Sequence, residues 1–446
     1  MDALSDVLLL YGHHRGTTAS FIQRGLERLG VGCFAVGPGH AEGPRSFPCG
    51  PAASLTTILA RLQGRFRPSR IWVLESGVKF FPSGLESSPL PCWYYAIDPH
   101  FNLGWQVEYA KLFDAVLVSF RQYLPAFERS GHPRVHWLPH GYDSDYYRDH
   151  HLERTLDLAF VGDMDPIKRP QRQERLQALE ASGLSCRFTR GIWNEEVARL
   201  YSTSRMVFND NDSQVLNPRN FEGAACGAVV LANPAWDLDA FFRLGEEILL
   251  HHSTAELLEQ ARALAGDEVR RKRLAEAGRA AAQRCAWEHR LEDLQTAART
   301  WDSPSPPHPW GRNERRRAQA FVYLQRGLPG ECLRLLEQLQ TEEGPDGEGL
   351  LTKALAYLSH GFPADAAREF LALLRLEPPP DPSLLSSVAE PMLLAFEQGD
   401  PAHAREAAER LLARLPALDP RLRARIQRLL GGTPTPGACL VENDNQ

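Results

Sequence analysis

Residues 217–233 read NPRNFEGAACGAVVLAN. A polar loop around Asn217 runs into a helical segment carrying Arg219 and Glu222, then through small residues Ala224, Ala225 and Gly227 into the apolar run AVVLA at 228–232. Strands covered on both faces lack polar alternation, so a helix leading directly into a wholly apolar run reads as one step of a buried parallel sheet. Upstream, the same kind of run recurs at residues 156–161 (LDLAFV), 185–188 (SCRF) and 206–209 (MVFN).

A matching series fills the first third of the chain at residues 5–11 (SDVLLLY), 31–36, 71–75, 93–97 and 115–119. Between the first two, residues 17–29 place Phe21, Ile22, Leu26 and Leu29 on one helical face. Strand, helix, strand is the unit of a doubly wound sheet. Residues 135–143 (VHWLPHGYD) close this series. The expected fold class is therefore α/β: two Rossmann-like domains facing a cleft, residues 1–150 and 151–301, followed by an all-α domain. After residue 255 the pattern turns helical, and residues 287–298 suit a helix that packs back across both halves.

Residues 302–313 (DSPSPPHPWGRN) form a Pro/Ser-rich linker. Beyond it, over 314–430, Tyr323, Gly327, Cys332 and Leu336 are echoed 34 positions later by Tyr357, Gly361, Ala366 and Phe370, with Pro378 after them. A looser third copy has Gly399, Ala404, Leu411 and Pro416. This spacing resembles tetratricopeptide repeats, in which small residues let paired helices approach; a plain array of helical hairpins would look similar. Residues 431–446 read as a flexible tail.

Composition narrows the function. The 446 residues suit about three domains. Net charge is −6, the wrong sign for nucleic acid or an anionic membrane. A hydrophobic share of 43% with 24% charged residues excludes bulk disorder. The eight cysteines (33, 49, 92, 186, 226, 285, 332, 439) are scattered without zinc-ligand spacing, and neither a zinc site nor a disulfide scaffold is expected. The apolar run at 7–11 is too short for a signal-peptide core or a membrane span, so the expected location is cytoplasmic, without membrane insertion. The loop after the first strand is GHHRG (12–16), not a dinucleotide fingerprint, and no phosphate-binding P-loop motif appears.

The Asn-x-Arg-x-Phe-Glu segment before Ala-Cys-Gly resembles the C-terminal domain of GT-B glycosyltransferases, and most of all the CgeB-like (spore-maturation-protein-like) family. The resemblance extends through Phe160-Val161-Gly162 with Lys168-Arg169, and more diffusely through 94–98, Trp105, Ala110, Asp114 and Leu138-Pro139. It implies that Glu222 accepts hydrogen bonds from nucleotide ribose hydroxyls, although an acid in the first turn of a helix also complements the helix dipole. It implies that Arg219, with Lys168 or Arg169, holds a diphosphate, helped by backbone N–H groups after Asn217. Lys168-Arg169 would equally suit a solvated helix start. Gly16 belongs to the cleft-facing first loop, and Arg190 and Trp193, in RGIW after a strand, stand where the family wraps the base. Trp193 also suits simple core packing. Many retaining relatives carry a second glutamate eight positions before the first; Gln214 stands there instead.

Candidate catalytic groups on the N-terminal side are Asp98, His100 and His13. Asp98 alternatively caps the loop before Pro99, His13 and His14 alternatively sit in solvent, and His140 suits a hinge as well as a ligand. Asp163-Met164-Asp165 and Asp210-Asn211-Asp212 invite a metal reading, but the basic residues can do the phosphate work, so no metal or other cofactor is expected. The function expected is metal-independent transfer of a sugar from a nucleotide-diphosphate donor, a UDP-sugar favoured, to an acceptor. The partner expected is a protein or peptide on the helical repeats, by likeness to O-GlcNAc transferase, with a small molecule or a cell-envelope glycan as the open alternative. The alternatives are a nucleotide-sugar epimerase on the same fold and a non-enzymatic repeat scaffold with a degenerate sugar-nucleotide domain.

Overall fold

The computed structural model describes residues 5–301, 308–415 and 419–430, with Asp212 described by its backbone alone. Residues 302–307 of the expected linker, Pro416, and the expected tail with Cys439 lie outside the described residues. The chain divides into two compact units, Met1–Pro309 and Trp310–Gln446.

In the first unit, β1 (Val7–Leu10), β2 (Cys33–Val36), β3 (Ser46–Phe47), β4 (Arg70–Leu74), β5 (Cys92–Ala96), β6 (Ala115–Val118) and β7 (Val135–Trp137) make one sheet. Its order is β3-β2-β1-β4-β5-β6-β7, and every pairing is parallel. Four of these strands, β1, β2, β5 and β6, are buried along their whole length, which is why their sequences are unbroken apolar runs. Helices α1 (Thr18–Arg28), α2 (Leu55–Leu62), α3 (Pro99–Ala110) and α4 (Leu124–Arg129) connect them. A second parallel sheet has β8 (Leu156–Val161), β9 (Cys186–Thr189), β10 (Ser204–Asn209), β11 (Val229–Ala232) and β12 (Leu249–Leu250) in the order β12-β11-β10-β8-β9. Its helices are α5 (Pro170–Glu180), α6 (Glu195–Ser202), α7 (Arg219–Ala225), α8 (Thr254–Gly266), α9 (Glu268–Gln283) and α10 (Trp287–Arg299). The two-sheet α/β architecture followed by an all-helical region is the fold class the sequence led us to expect. The edge strands β3 and β12 are additions, because two residues are too few to leave a periodic signal.

The two halves are tied together by α10. Trp287 is fully buried with its ring edge-on to Tyr95 at 6.2 Å, while Arg290 stacks on Phe241 of the second half at 4.3 Å. Asp143, in the connection between the halves, is fully buried and receives Arg24 of α1 at 2.6 Å and Arg28 at 3.1 Å. Arg28 also reaches Glu288 of α10 at 3.0 Å. One charge-assisted network thus joins the first helix, the connection and the last helix.

The second unit is entirely helical: α11 (Arg312–Gln325), α12 (Pro329–Glu343), α13 (Gly347–Ser359), α14 (Pro363–Arg375), α15 (Pro382–Gly399), α16 (Pro401–Arg414) and α17 (Pro420–Leu429). The turns from α11 to α12 and from α13 to α14 are the same. Gly327 and Gly361 take φ of 68° and 82°, and the next residue's N–H returns to the carbonyl of Tyr323 or Tyr357 at 2.8 and 2.9 Å. Proline then opens the following helix at 329, 363 and again at 401. The third copy is looser because α15 has 18 residues where α13 has 13, adding a turn before Ala404. Cys332, Ala366 and Ala404 are all buried between helices. Among the described residues no helix is long and apolar enough to cross a membrane.

Candidate functional site

Ligands of open parallel sheets gather outside the carboxyl ends of strands where the order reverses. Those points are β1/β4 in the first sheet and β8/β10 in the second. The loops after β1, β8 and β10 meet there, and two cavities open along them, sharing Asp163 and Arg219 in their walls.

The first cavity, about 460 Å³, is lined by Gly16, Tyr147, Arg190, Trp193, Arg219 and Glu222, with Phe21, Val161, Ile192 and Tyr201 supplying apolar wall. Glu222 is 8% exposed, and burial pushes its carboxyl up to about 7, against the pull of Arg219 and a hydrogen bond from Tyr147. Arg219 is held in place from three sides. Its Nε donates to Asn217 Oδ1 at 3.3 Å, Nη1 donates to the Val161 carbonyl at 3.3 Å, and the guanidinium lies over Phe160. Gly162 makes room for it, since a Cβ there would lie 2.5 Å from Arg219 Nη1. Across the crevice, Gly16 has φ of 75° and touches the Trp193 ring so closely that a Cβ would sit 2.5 Å from it.

An asparagine network shapes the loop before α7. Asn211 Oδ1 accepts from the side-chain amides of Asn209 (3.0 Å), Asn217 (3.0 Å) and Asn220 (2.8 Å), and Asn211 Nδ2 donates to the Asn233 carbonyl at 2.7 Å. The expectation of free N–H groups after Asn217 fails. Arg219 N donates to Asn217 Oδ1, and the N–H groups of Asn220 and Phe221 donate to the carbonyls of Asn217 and Pro218. Gln214, in the loop before them, is exposed and holds φ of 56°.

The second cavity, about 320 Å³, is lined by Asp98, His100, Phe101, His140, Arg169 and Asn217 among others, with Arg172 and Arg219. Asp98 holds a left-handed backbone (φ 56°, ψ 47°) at the start of α3, its carboxylate not spent on capping that helix. Glu75, at the end of β4, fixes this turn by accepting from Ile97 N at 3.0 Å and Gln106 Nε2 at 2.6 Å. Burial holds His100 below its usual value, with Asp98 opposing and Arg169 adding to it. His140 is driven down to about 4 by burial. The Nδ1 atoms of both are buried and without a hydrogen-bond partner among the described residues. Arg172 is 3% exposed and tied to Asp210 at 3.0 Å, which also receives Arg175 at 2.6 Å. Asp210 is thus engaged by guanidinium groups, and Asp165 by the N–H groups of Ile167 and Lys168.

The structure therefore gathers Gly16, Arg190, Trp193, Arg219 and Glu222 in one cavity, and Asp98, His100, Arg169, Asn217 and Arg219 in the other. Two candidates lie apart. Lys168 lines neither cavity; its side chain is 71% exposed and 3.9 Å from Asp165. His13 also lines neither, packing against the His40 ring at 5.2 Å. His14 is used up on the carbonyls of Arg15 and Ser76. Sequence reasoning missed Tyr147, Glu75 and Arg172. Tyr147 follows Tyr146 in a polar connection, Glu75 reads as a strand end, and Arg172 reads as a surface residue of a helix of low apolar content.

Residues 151–296 match a family model described as Glycosyl transferase-like. Among solved structures, the chain is similar to sucrose-phosphate synthase from Thermosynechococcus elongatus, at 13% identity over 67% of this chain and 100% of that one, TM-score 0.48. It is similar to Anabaena Alr3699/HepE in complex with UDP at 12% identity, covering 67% of this chain and 100% of that one, TM-score 0.48. The T4 phage BGT in complex with UDP and Mn2+ is 12% identical over 66% of this chain and 98% of that one, TM-score 0.46. No curated protein matches the chain. What the sequence match establishes is that the second sheet with its helices is glycosyl transferase-like.

Proposed function

We propose that the chain is a CgeB-like glycosyltransferase that moves a sugar from a nucleotide-diphosphate donor, a UDP-sugar, to an acceptor. The observation that carries this is the convergence of Glu222 and Arg219, three residues and about one helical turn apart, on a single cavity between the two sheets. A carboxylate accepts from two ribose hydroxyls, and a guanidinium answers the diphosphate oxygens in a fork. Arg190 adds a second cation, and the Trp193 face, 42% exposed, gives the base a surface to stack on. Leaving-group charge would fall on Arg219, held by Asn217 and the Val161 carbonyl, and on Arg169 in the adjoining cavity, and these guanidinium groups could do the work without a metal.

The acceptor belongs in the second cavity, where Asp98 and His100 stand ready to take a proton from its hydroxyl. The matching turns 34 residues apart support reading the second unit as tetratricopeptide-like repeats that present a protein or peptide acceptor. The seven described cysteines are all free, in keeping with a cytoplasmic enzyme.

Calorimetry with UDP and a panel of UDP-sugars tests the donor site. The intact chain should bind UDP, and Glu222→Ala should weaken it by about 1.5–3 kcal/mol, roughly 10- to 100-fold, for a lost hydrogen bond to a charged group. No binding by the intact chain, or unchanged binding by the variant, would refute the reading.

A further inference from the structure

A third cavity, about 290 Å³, opens on a different set of residues: Asp149, Arg154, Arg205, Gly227, Arg271, Lys272, Ala275, Glu276 and Arg279. It shares none with the two cavities above. The α9 residues 271, 272, 275, 276 and 279 recur at helical spacing and form one wall. The connection between the halves supplies Asp149 and Arg154, and the turn after α7 supplies Gly227.

Five cationic side chains face two carboxylates here, and not all are neutralised. Arg205 is paired with Asp157 at 2.5 Å and Lys272 with Glu268 at 2.6 Å. Arg154 is spent on the carbonyls of Ser204 (2.5 Å) and Cys226 (2.9 Å) and on Asp149 at 3.3 Å. Arg271 and Arg279 form no ion pair among the described residues, yet Arg271 is only 8% exposed. Burial, then the neighbouring Arg205, holds its guanidinium below the usual arginine range, against the weaker pull of Glu268 and Asp157, both already paired with other cations. A buried, unpaired cation among like charges is costly unless something of opposite charge joins it.

We propose that this pocket is a second anion site, taking the phosphate group of a small phosphorylated molecule on Arg271 and Arg279. Guanidinium pairs match tetrahedral oxyanions by bidentate hydrogen bonds, and the cavity has more room than a bare phosphate ion fills. Glu276, exposed on the rim, limits the charge the site can take. The side-chain-less Gly227 leaves its floor open, since a Cβ there would lie 2.6 Å from Arg154 Nη2.

The test is thermal unfolding of the full chain in inorganic phosphate, glucose 6-phosphate or glucose, with chloride added to hold ionic strength constant. Both phosphates should raise Tm and glucose should not. A larger rise with glucose 6-phosphate than with phosphate assigns the site to a phosphorylated metabolite, and equal rises assign it to the free ion. Arg279→Gln and Arg271→Gln should weaken phosphate binding at least tenfold, and Glu276→Gln should strengthen it. Arg219→Ala, which removes the phosphate-holding guanidinium of the first cavity, should still show a phosphate-dependent rise. Arg271 is buried, so if its variant does not fold, the half-buried Arg279 and the exposed Glu276 decide. No rise in the parent chain, a rise that survives Arg279→Gln, or one lost in Arg219→Ala instead would overturn the proposal.

Discussion

In the first cavity the two charged groups of α7 are answered, Glu222 by Tyr147 and Arg219 by Asn217 and the Val161 carbonyl, while the Tyr201 hydroxyl is buried without a partner among the described residues. In the second, the Nδ1 atoms of His100 and His140 are buried without partners among the described residues, and Asp98 has a left-handed backbone at the start of α3. A pre-satisfied site is rigid and selects by shape and charge. Buried histidines with unpaired nitrogens and shifted pKa values beside a carboxylate are candidates for moving a proton. On the proposed reading, the first cavity binds the donor and the second carries the chemistry.

The most damaging test of that division is Asp98→Asn, which keeps the shape and removes the base. Transfer kcat should fall by about 10²–10⁴-fold, the usual contribution of a general base. The Kd for UDP should stay within about twofold, since a carboxylate absent from the first cavity makes no direct hydrogen bond to the nucleotide. If UDP affinity collapses while kcat holds, the two cavities have been assigned the wrong way round.

The next effect is on stability, where the cavities have opposite pH signs. His140 titrates near 4 in the fold and near its ordinary 6.5 when unfolded. Its contribution is therefore complete above pH 6.5 and is lost as pH falls toward 4. Glu222, raised from 4.5 to about 7, is the reverse: the fold gains from it below pH 4.5 and loses that gain as pH rises to 7. Urea unfolding at pH 7 and pH 4.5 should show His140→Gln shrinking the acid-side loss by about 2–3 kcal/mol. An unchanged loss would mean that His140 is not held neutral by burial.

The sequence exposed the sheets more clearly than the sites. Buried parallel strands write themselves as apolar runs, so β1, β5, β8 and β11 could be read directly, and the helix with Glu222 stood beside one of them. Strands β3 and β12 pair over two residues at sheet edges and leave no pattern. Of the residues lining the cavities, Asp98 and His100 were legible because they follow the end of β5, and Arg219 and Glu222 because they sit on the short helix that leads into β11. Tyr147 and Arg172 were not, because they reach the crevice from the interlobe connection and from a helix whose composition looks exposed. His13 and Lys168 show the opposite error. Both stand in the right loops, but the His40 ring takes one and solvent the other. Loop membership is a property of sequence, whereas side-chain direction is settled by packing.

The smallest expected effect is the sharpest on mechanism, because it depends on which form of Glu222 meets the nucleotide. With its carboxyl near 7, Glu222 is mostly protonated at pH 6 and mostly ionised at pH 8. Ribose hydroxyls donate, and an ionised carboxylate accepts from both where a protonated one has an O–H that must itself find an acceptor. UDP affinity should therefore rise about tenfold from pH 6 to pH 8, tracking the ionised fraction. Glu222→Gln, unable to ionise, should bind UDP weakly and without that slope, while Asp98→Asn should keep it. If the Gln variant retained the slope, the titrating group would be another, and Glu222 would be a structural acid of α7 rather than the residue that grips the ribose.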